Sequence, residues 1–245
     1  MAQERKDHLI HCITNPISMN QCANAILATG GRPIMAEHPM EVREITATAS
    51  ALLLNLGNIT DTRMESMKIS LKEANSIHIP VVLDAVGIAC SALRRSFINE
   101  LLSLGKVTVI KGNYSEIKAL YDDSYKSTGV DADKSITDDL ICEAILHLSE
   151  RYNATIVATG KTDLIAFKGS VTKAEGGCEQ LSSVTGTGCM LGAIIAVYLS
   201  FDDDFESVIK ACRMFKDCGL KACTDKGGGT FMVNLIDALG GYNEH

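Results

Sequence analysis

The feature that most constrains this chain is a set of short apolar runs that do not alternate with polar residues. Leu9–Thr14 (LIHCIT), Ala51–Leu56 (ALLLNL), Pro80–Asp84 (PVVLD), Val107–Lys111 (VTVIK) and Thr155–Thr159 (TIVAT) each end on polar or glycine-bearing residues. A strand exposed on one face alternates, whereas a strand covered on both faces does not. Segments of helical periodicity lie between and after these runs. They are Ser18–Thr29, Glu41–Ala49, Asp61–Ser76, Arg94–Leu104, a start at Glu116–Leu120, Thr137–Tyr152, Gly188–Leu199, Phe205–Cys223 and a last one from near Thr230. Ser18 suits an N-cap, and Gly30-Gly31 suits a stop. Arg32–Met35 reads as a short strand, and Leu164–Lys168 with Val171–Glu175 read as a hairpin around Gly169. The alternation predicts an α/β fold with a mainly parallel central sheet covered by helices on both faces.

A chain of 245 residues suits one such domain. No composition break or internal repeat divides it, so residues 1–245 are expected to form a single domain. The polar stretch Tyr121–Asp133 is expected to be a surface loop. A net charge of −7 without a long basic run argues against nucleic acid or an anionic membrane as partner. Met1–Asp7 is polar and lacks the apolar stretch of a signal peptide. The longest apolar run, near Leu191–Leu199, is far short of the roughly 20 residues that span a bilayer. The 9 cysteines form no CxxC pair, and Cys212, Cys218 and Cys223 match no common zinc spacing. Free thiols without an export signal predict a cytoplasmic protein.

Open parallel sheets bind ligands beyond the carboxyl ends of their strands. The residues there are Thr14-Asn15-Pro16, Asn55 with Gly57-Asn58, Asp84-Ala85-Val86-Gly87, Lys111-Gly112-Asn113 with Glu116, and Thr159-Gly160-Lys161. The clearest local signal is Val184-Thr185-Gly186-Thr187-Gly188-Cys189, a glycine-rich loop running into an apolar helix. A helix N-terminus offers unpaired N–H groups and the positive end of the dipole, so Gly186, Thr187, Gly188 and Cys189 can cradle an anion. The same residues also suit a tight helix start that holds nothing. Two familiar phosphate motifs fail: Gly186, Gly188 and Gly192 miss the GxGxxG spacing by one residue, and Gly160-Lys161-Thr162 has Thr155 where a P-loop needs glycine.

Cys189, near that helix start, is expected to have its thiol pKa lowered by the dipole and can act as a base toward a hydroxyl. It can equally be a buried small hydrophobe. Asp84 and Glu116 can hold Mg²⁺, directly or through water, or can be a cap and a solvated charge. Lys111 can neutralise phosphate or be surface decoration. His11 has no metal-spaced partner and reads as structural.

In order along the chain, His11-Cys-Ile-Thr-Asn15, Pro33-Ile-Met35-Ala36, Leu54-Asn-Leu-Gly57, Asp84-Ala-Val-Gly87, Lys111-Gly-Asn113 with Glu116-Ile117, Ala158-Thr-Gly160, Val184-Thr-Gly-Thr-Gly-Cys189 and Gly228-Gly-Thr-Phe231 resemble the hydroxyethylthiazole kinases of the ribokinase-like superfamily. The similarity runs from about His11 to Leu239. The resemblance implies a ribokinase-like three-layer fold and ATP-dependent phosphorylation of 4-methyl-5-(2-hydroxyethyl)thiazole, a salvage step toward thiamine. It implies a thiazole site at Met35 and Gly186, ATP contacts at Lys111 and Thr159, and Mg²⁺ and phosphate at Asp84 and Glu116. It places Cys189 as catalytic base, where superfamily relatives usually carry Asp, and implies a homotrimer with active sites at the subunit interfaces.

This chain has Ala85 where the family often has proline, Lys111 where many members have arginine, and Gly228 where Gly-Pro-Gly-Thr is common. Lysine keeps the charge and loses the bidentate fork. Two other functions compete. A hydroxymethylpyrimidine kinase of the same superfamily would carry Asp or another nucleophile context in place of Cys189. A vitamin-precursor binding protein on a kinase scaffold would take up ligand without turnover.

Overall fold

The computed structural model describes residues 8–127 and 137–242. The end of the expected Tyr121–Asp133 loop, and Met1–Asp7, lie outside those residues. Among the described residues, eight strands make one sheet: β1 (Leu9–Ile13), β2 (Arg32–Ile34), β3 (Ala51–Asn55), β4 (Val81–Asp84), β5 (Val109–Asn113), β6 (Thr155–Thr159), β7 (Asp163–Phe167) and β8 (Ser170–Ala174). Their spatial order is β2-β1-β3-β4-β5-β6-β7-β8. Every pairing from β2 through β6 is parallel, and β6-β7 and β7-β8 are antiparallel. The mainly parallel α/β fold expected from the non-alternating runs is therefore present, with the predicted hairpin at its edge.

Among the described residues, ten helices connect and cover the strands: α1 (Met19–Ala28), α2 (Val42–Thr48), α3 (Asp61–Ser76), α4 (Ala92–Leu104), α5 (Tyr114–Tyr121), α6 (Asp138–Tyr152), α7 (Gln180–Ser183), α8 (Thr187–Phe201), α9 (Phe205–Ala222) and α10 (Gly228–Gly240). Two apolar cores result, one on each sheet face. Leu52, Leu54, Leu83, Ile110 and Ile156 pack with Met67, Leu71, Phe97, Ile117 and Ile145 of α3–α6. Leu53, Val82, Val109 and Val157, their neighbours in sequence, pack with Ile26, Ile194, Ile195, Phe215 and Phe231 of α1 and α8–α10. Each of the strands β3–β6 thus feeds both cores by period-2 alternation of apolar side chains, which a binary pattern cannot display.

α8 is the most deeply set helix. Residues from Met190 to Val197 are buried without exception, and it lies over the centre of the sheet, against β1, β3 and β4. A helix apolar on all sides must be buried on all sides. Its N-terminus is therefore held rigidly at the carboxyl rim.

Candidate active site

Strand register lines up the central polar residues. Asn55 pairs with Asp84, and Asp84 pairs with Lys111, across three adjacent parallel strands. Their side chains share the face of Leu53, Val82 and Val109, two residues back along each strand, and so lie under α8. All three are buried. Lys111 Nζ donates to Asp84 Oδ1 at 2.9 Å, and Asn55 Nδ2 donates to Asp84 Oδ2 at 2.9 Å. Asn55 Oδ1 accepts from Gly57 N–H at 2.9 Å and from Asn15 Nδ2 at 3.0 Å. Asn15 Oδ1 accepts from Ser18 N–H at 3.1 Å, and Asn15 Nδ2 lies 3.5 Å from Cys189 Sγ. The two backbone donors fix both amide orientations, since a flipped amide would set N–H against N–H. A polar chain therefore links Lys111, Asp84, Asn55, Asn15 and Cys189, with Asp84 accepting from both its neighbours and Asn15 donating to both of its own.

The N-terminal end of α8 closes the chain from above. Gly186, its N-cap, has φ +95°, and a Cβ there would sit 3.2 Å from Ser18 Cβ. Thr187 Oγ1 donates to Leu181 O at 2.6 Å, so its hydroxyl is committed to α7 and the first turn is offered through backbone N–H groups. A Cβ on Gly188 would stand 3.6 Å from Lys111 Nζ, so the ammonium lies beside that first turn. Cys189 departs from expectation. Burial, and after it the Asp84 charge, pushes its thiol pKa up, and Lys111 offsets this only in part. A local dipole argument predicts a lowered pKa, but desolvation beside a buried carboxylate outweighs the helix end. Burial also drives the Asp84 carboxyl upward against the pull of Lys111. For Lys111 burial works against the charge, and Asp84, Cys189 and Glu116 nevertheless hold its pKa above the ordinary lysine value.

The family profile described as "HK: Hydroxyethylthiazole kinase family" matches residues 2–244. The chain belongs to the hydroxyethylthiazole kinase family. It is 44% identical over 240 residues to Hydroxyethylthiazole kinase 2 of Clostridium botulinum (strain Hall), covering 96% of this chain and 90% of that one. It is 40% identical over 233 residues to Hydroxyethylthiazole kinase of Finegoldia magna, covering 95% and 86%. Among solved structures, the hydroxyethylthiazole kinase protein of Pyrococcus horikoshii OT3 superposes with a TM-score of 0.89 at 31% identity, over 98% of this chain and 90% of that one. A ribokinase-like superfamily protein of Enterococcus faecalis gives a TM-score of 0.71 at 12% identity, over 98% and 89%, which speaks to the fold alone. The fold is ribokinase-like.

In this hydroxyethylthiazole kinase family member, the remaining sequence-predicted residues lie around the central chain. Glu116 is buried and sits in a capping box with Asn113 at the start of α5. Its Oε1 accepts from Gly87 N–H and its Oε2 from Asn113 N–H, both at 2.7 Å. Burial, then the nearby Asp84 charge, pushes its pKa to about 7, with Lys111 pulling the other way. Glu116 therefore ties the turn after β4 to the end of β5. Thr159 pairs with Asn113 in register, and its Oγ1 lies 3.4 Å from Gly112 O. Met35 follows edge strand β2, half-buried against the α8-side core. Met35 and Thr159 thus flank the rim from opposite ends, five strand spacings or about 24 Å apart. His11 bonds Thr46 Oγ1 and Ala36 O, each at 2.9 Å, and is structural as expected.

Among the described residues, no three His, Cys, Asp or Glu side chains cluster closely enough to hold a metal. Asp84 and Glu116 each have both oxygens engaged, but each oxygen keeps a second lone pair. That donor set suits Mg²⁺, which retains waters and phosphate ligands, better than an all-protein cage.

In the sequence, Asn15 and Asn55 stand out only as strand ends, with no role attached. The signal that finds them is register, since Asn55 sits opposite Asp84. Ser18 is the N-cap of α1, as expected, but makes no side-chain cap bond to it. Its hydroxyl and that of Thr14 are buried without a nitrogen or oxygen partner among the described residues, and lie instead beside the thiol of Cys22 and, for Ser18, also that of Cys189.

Proposed function

We propose that this chain transfers the γ-phosphate of ATP to the hydroxyl of 4-methyl-5-(2-hydroxyethyl)thiazole, a thiamine salvage reaction. The observation that carries the proposal is the Lys111–Asp84–Asn55–Asn15–Cys189 chain under the Gly186–Cys189 helix start. It supplies what an alcohol kinase needs at one point: a proton acceptor, a cation and a set of backbone donors. Phosphoryl transfer through a loose transition state depends on positioning and charge neutralisation more than on covalent chemistry.

In this reading the thiazole lies between Met35 and Gly186, with its hydroxyl beside Cys189. ATP lies along β5 and β6, contacting Lys111 and Thr159. The α8 N-terminus stabilises charge on the transferring phosphoryl group. Asp84 and Glu116 would hold Mg²⁺ through water, and that ion would supply further neutralisation of phosphate charge. Cys189 Sγ takes the alcohol proton as the thiolate. Its raised pKa makes that thiolate a scarce but strong base, which suits a proton that leaves late.

Residues 1–245 are read as one domain, acting in the cytoplasm as a homotrimer that completes its sites at subunit interfaces. No helix among the described residues is long and apolar enough to cross a membrane. A coupled ADP-release assay with Mg-ATP, with and without the thiazole, tests the function. Thiazole-dependent ADP together with a phosphorylated thiazole by mass supports it, whereas saturable thiazole uptake without ADP points to a binding protein.

A further inference from the structure

The Gly160-Lys161-Thr162 segment, which fails as a P-loop, is held by an arrangement that the reaction outlined above does not use. It forms the turn between β6 and β7, directly after Thr159. Gly160 N–H donates to Asp163 Oδ1 at 3.0 Å. Lys216, from the middle of α9, reaches this turn with a buried side chain. Its Nζ donates to Asp163 Oδ1 at 2.9 Å, to Gly160 O at 2.8 Å and to Lys161 O at 3.2 Å. An ammonium has three donors, and all three are used. The next carbonyl, Thr162 O, lies 2.9 Å from Tyr114 Oη on α5, whose single proton it shares with Asp138 Oδ1 at 3.1 Å.

Two successive carbonyls of one turn are thus bound by a single ammonium from α9, and the third lies against a hydroxyl from α5. Among the described residues, none of the peptide bonds is cis. In a planar trans peptide the N–H points opposite to the C=O. Drawing the carbonyls of 160 and 161 toward α9 therefore turns the N–H groups of Lys161 and Thr162 away from α9. A lysine needed only to neutralise Asp163 would require one of these contacts. The two carbonyl contacts set the direction of the backbone.

We propose that Lys216 is a positioning residue for the nucleotide half of the site, orienting the Gly160–Asp163 turn that continues Thr159. The inference rests on the reading above that Thr159 faces ATP. Lys216 also packs along Gly177, where a Cβ would come within 3.2 Å of Lys216 Cδ.

The test compares wild type, Lys216→Met, Lys216→Arg and the double variant Lys216→Met/Asp163→Asn. Asparagine keeps an oxygen for Gly160 N–H, and the double variant removes the unpaired buried charge that would otherwise destabilise the fold. Thermal midpoints and initial rates are measured, varying ATP and the thiazole separately. The expected result is a rise of about tenfold or more in KM for ATP in both methionine variants, with KM for the thiazole within about twofold. The double variant is expected to regain thermal stability without regaining ATP KM, and Lys216→Arg to be intermediate. Recovery of ATP KM together with stability in the double variant would overturn the proposal, as would an equal rise in both KM values. If wild type shows no thiazole-dependent turnover, the kinase reading fails separately. Calorimetric binding of a non-hydrolysable ATP analogue then decides: at least tenfold weaker binding in the double variant supports the role, and no wild-type binding or no difference removes it.

Discussion

Asn55 Nδ2 donates to Asp84 Oδ2 at 2.9 Å, from the residue directly opposite on the neighbouring parallel strand. Both residues are fully buried, so this bond forms where water cannot replace it. Asn55 also receives Gly57 N–H and Asn15 Nδ2 on its other side. Replacing it with alanine leaves one acceptor and two donors without partners. Each unsatisfied buried group costs about 1–3 kcal/mol. Asn55→Ala is expected to lose about 3 kcal/mol or more by denaturant unfolding. Turnover should fall with it, because Asn15 then no longer holds its place beside Cys189. An unfolding free energy within error of wild type would show that the chain of amides is not structural.

The Asp84–Lys111 pair yields a second prediction. Removing one member of a buried ion pair strands the other charge, at a cost of about 3–5 kcal/mol. Asp84→Asn should be destabilised on that scale, and Asp84→Asn with Lys111→Met should recover most of it. Turnover should recover in neither, if the carboxylate serves Mg²⁺ and the ammonium serves phosphate. A Mg²⁺ titration of Asp84→Asn checks the first of those roles. An unchanged Mg²⁺ requirement removes Asp84 from the metal site, and recovered turnover in the double variant removes both residues from the chemistry.

The sheet is legible in the sequence because its signal is local. Apolar runs without alternation, ending on polar residues, need no knowledge of neighbours, and Asp61–Ser76 and Thr155–Thr159 lie where periodicity puts them. β5 runs two residues further than its apolar run suggests, since Gly112 and Asn113 continue the ladder against Ala158 and Thr159. α7, a single turn at Gln180–Ser183, carries no apolar period by which a sequence could reveal it. The site is legible as a set of strand ends but not as a connected chain. That Asn55, Asp84 and Lys111 touch follows from the order β3-β4-β5 and its register, which are tertiary facts. The Cys189 pKa moves opposite to the sequence-based expectation for the same reason: the helix end is visible in sequence, and the buried Asp84 beside it is not.

Glu116 ties stability to pH. Its folded pKa of about 7 lies above the ordinary carboxylate value of 4.5, so between those values the folded state holds a proton that the unfolded state has lost. Stability from this group is fully present below about pH 4.5 and declines as pH rises through about 7. The shift corresponds to about 3 kcal/mol. Glu116→Gln should flatten this part of the profile, measured by urea unfolding with a metal chelator present. It should also lose about 1–3 kcal/mol at low pH, because one of Gly87 N–H and Asn113 N–H then faces an amide NH₂. Subtracting the Glu116→Gln profile from that of wild type removes the contribution of the other titrating groups. A difference that rises between pH 5 and 7 would contradict the raised pKa.

Gly57 tests whether the amide chain tolerates displacement. A Cβ at this position would lie 2.8 Å from Asn15 Nδ2 and 2.9 Å from Asn55 Oδ1, too close for carbon against either atom. Gly57→Ala must therefore push the two amides apart or away from Cys189. Misplacing a positioned group by about 1 Å can cost about 100-fold in rate. The expected outcome is a fall in kcat of that order, with KM for ATP changed less than kcat, since Asn55 reaches the ATP contact Lys111 only through Asp84 and Thr159 lies three strands away. An equal loss for both substrates would mean that the substitution disturbs the whole rim.

Cys189 gives the prediction most specific to mechanism. Its pKa is raised by burial and by Asp84, so near neutral pH the sulfur is mainly the thiol. A thiol cannot accept the alcohol proton, and a thiolate can. If the thiolate is the base, kcat should rise about tenfold per pH unit until the thiol pKa is passed. General-base groups contribute about 100- to 10,000-fold, so Cys189→Ala should lose turnover on that scale while thiazole affinity, by calorimetry, changes little. The alanine variant should also lose the alkaline rise, which separates loss of a base from loss of packing. Lys111→Met should move the limb to higher pH, because the ammonium is the cation that opposes the Asp84 charge at the sulfur. A wild-type kcat flat across neutral and alkaline pH, or an alanine variant that keeps the rise, would place the proton acceptor elsewhere, with Asp84 the nearest buried carboxylate to examine.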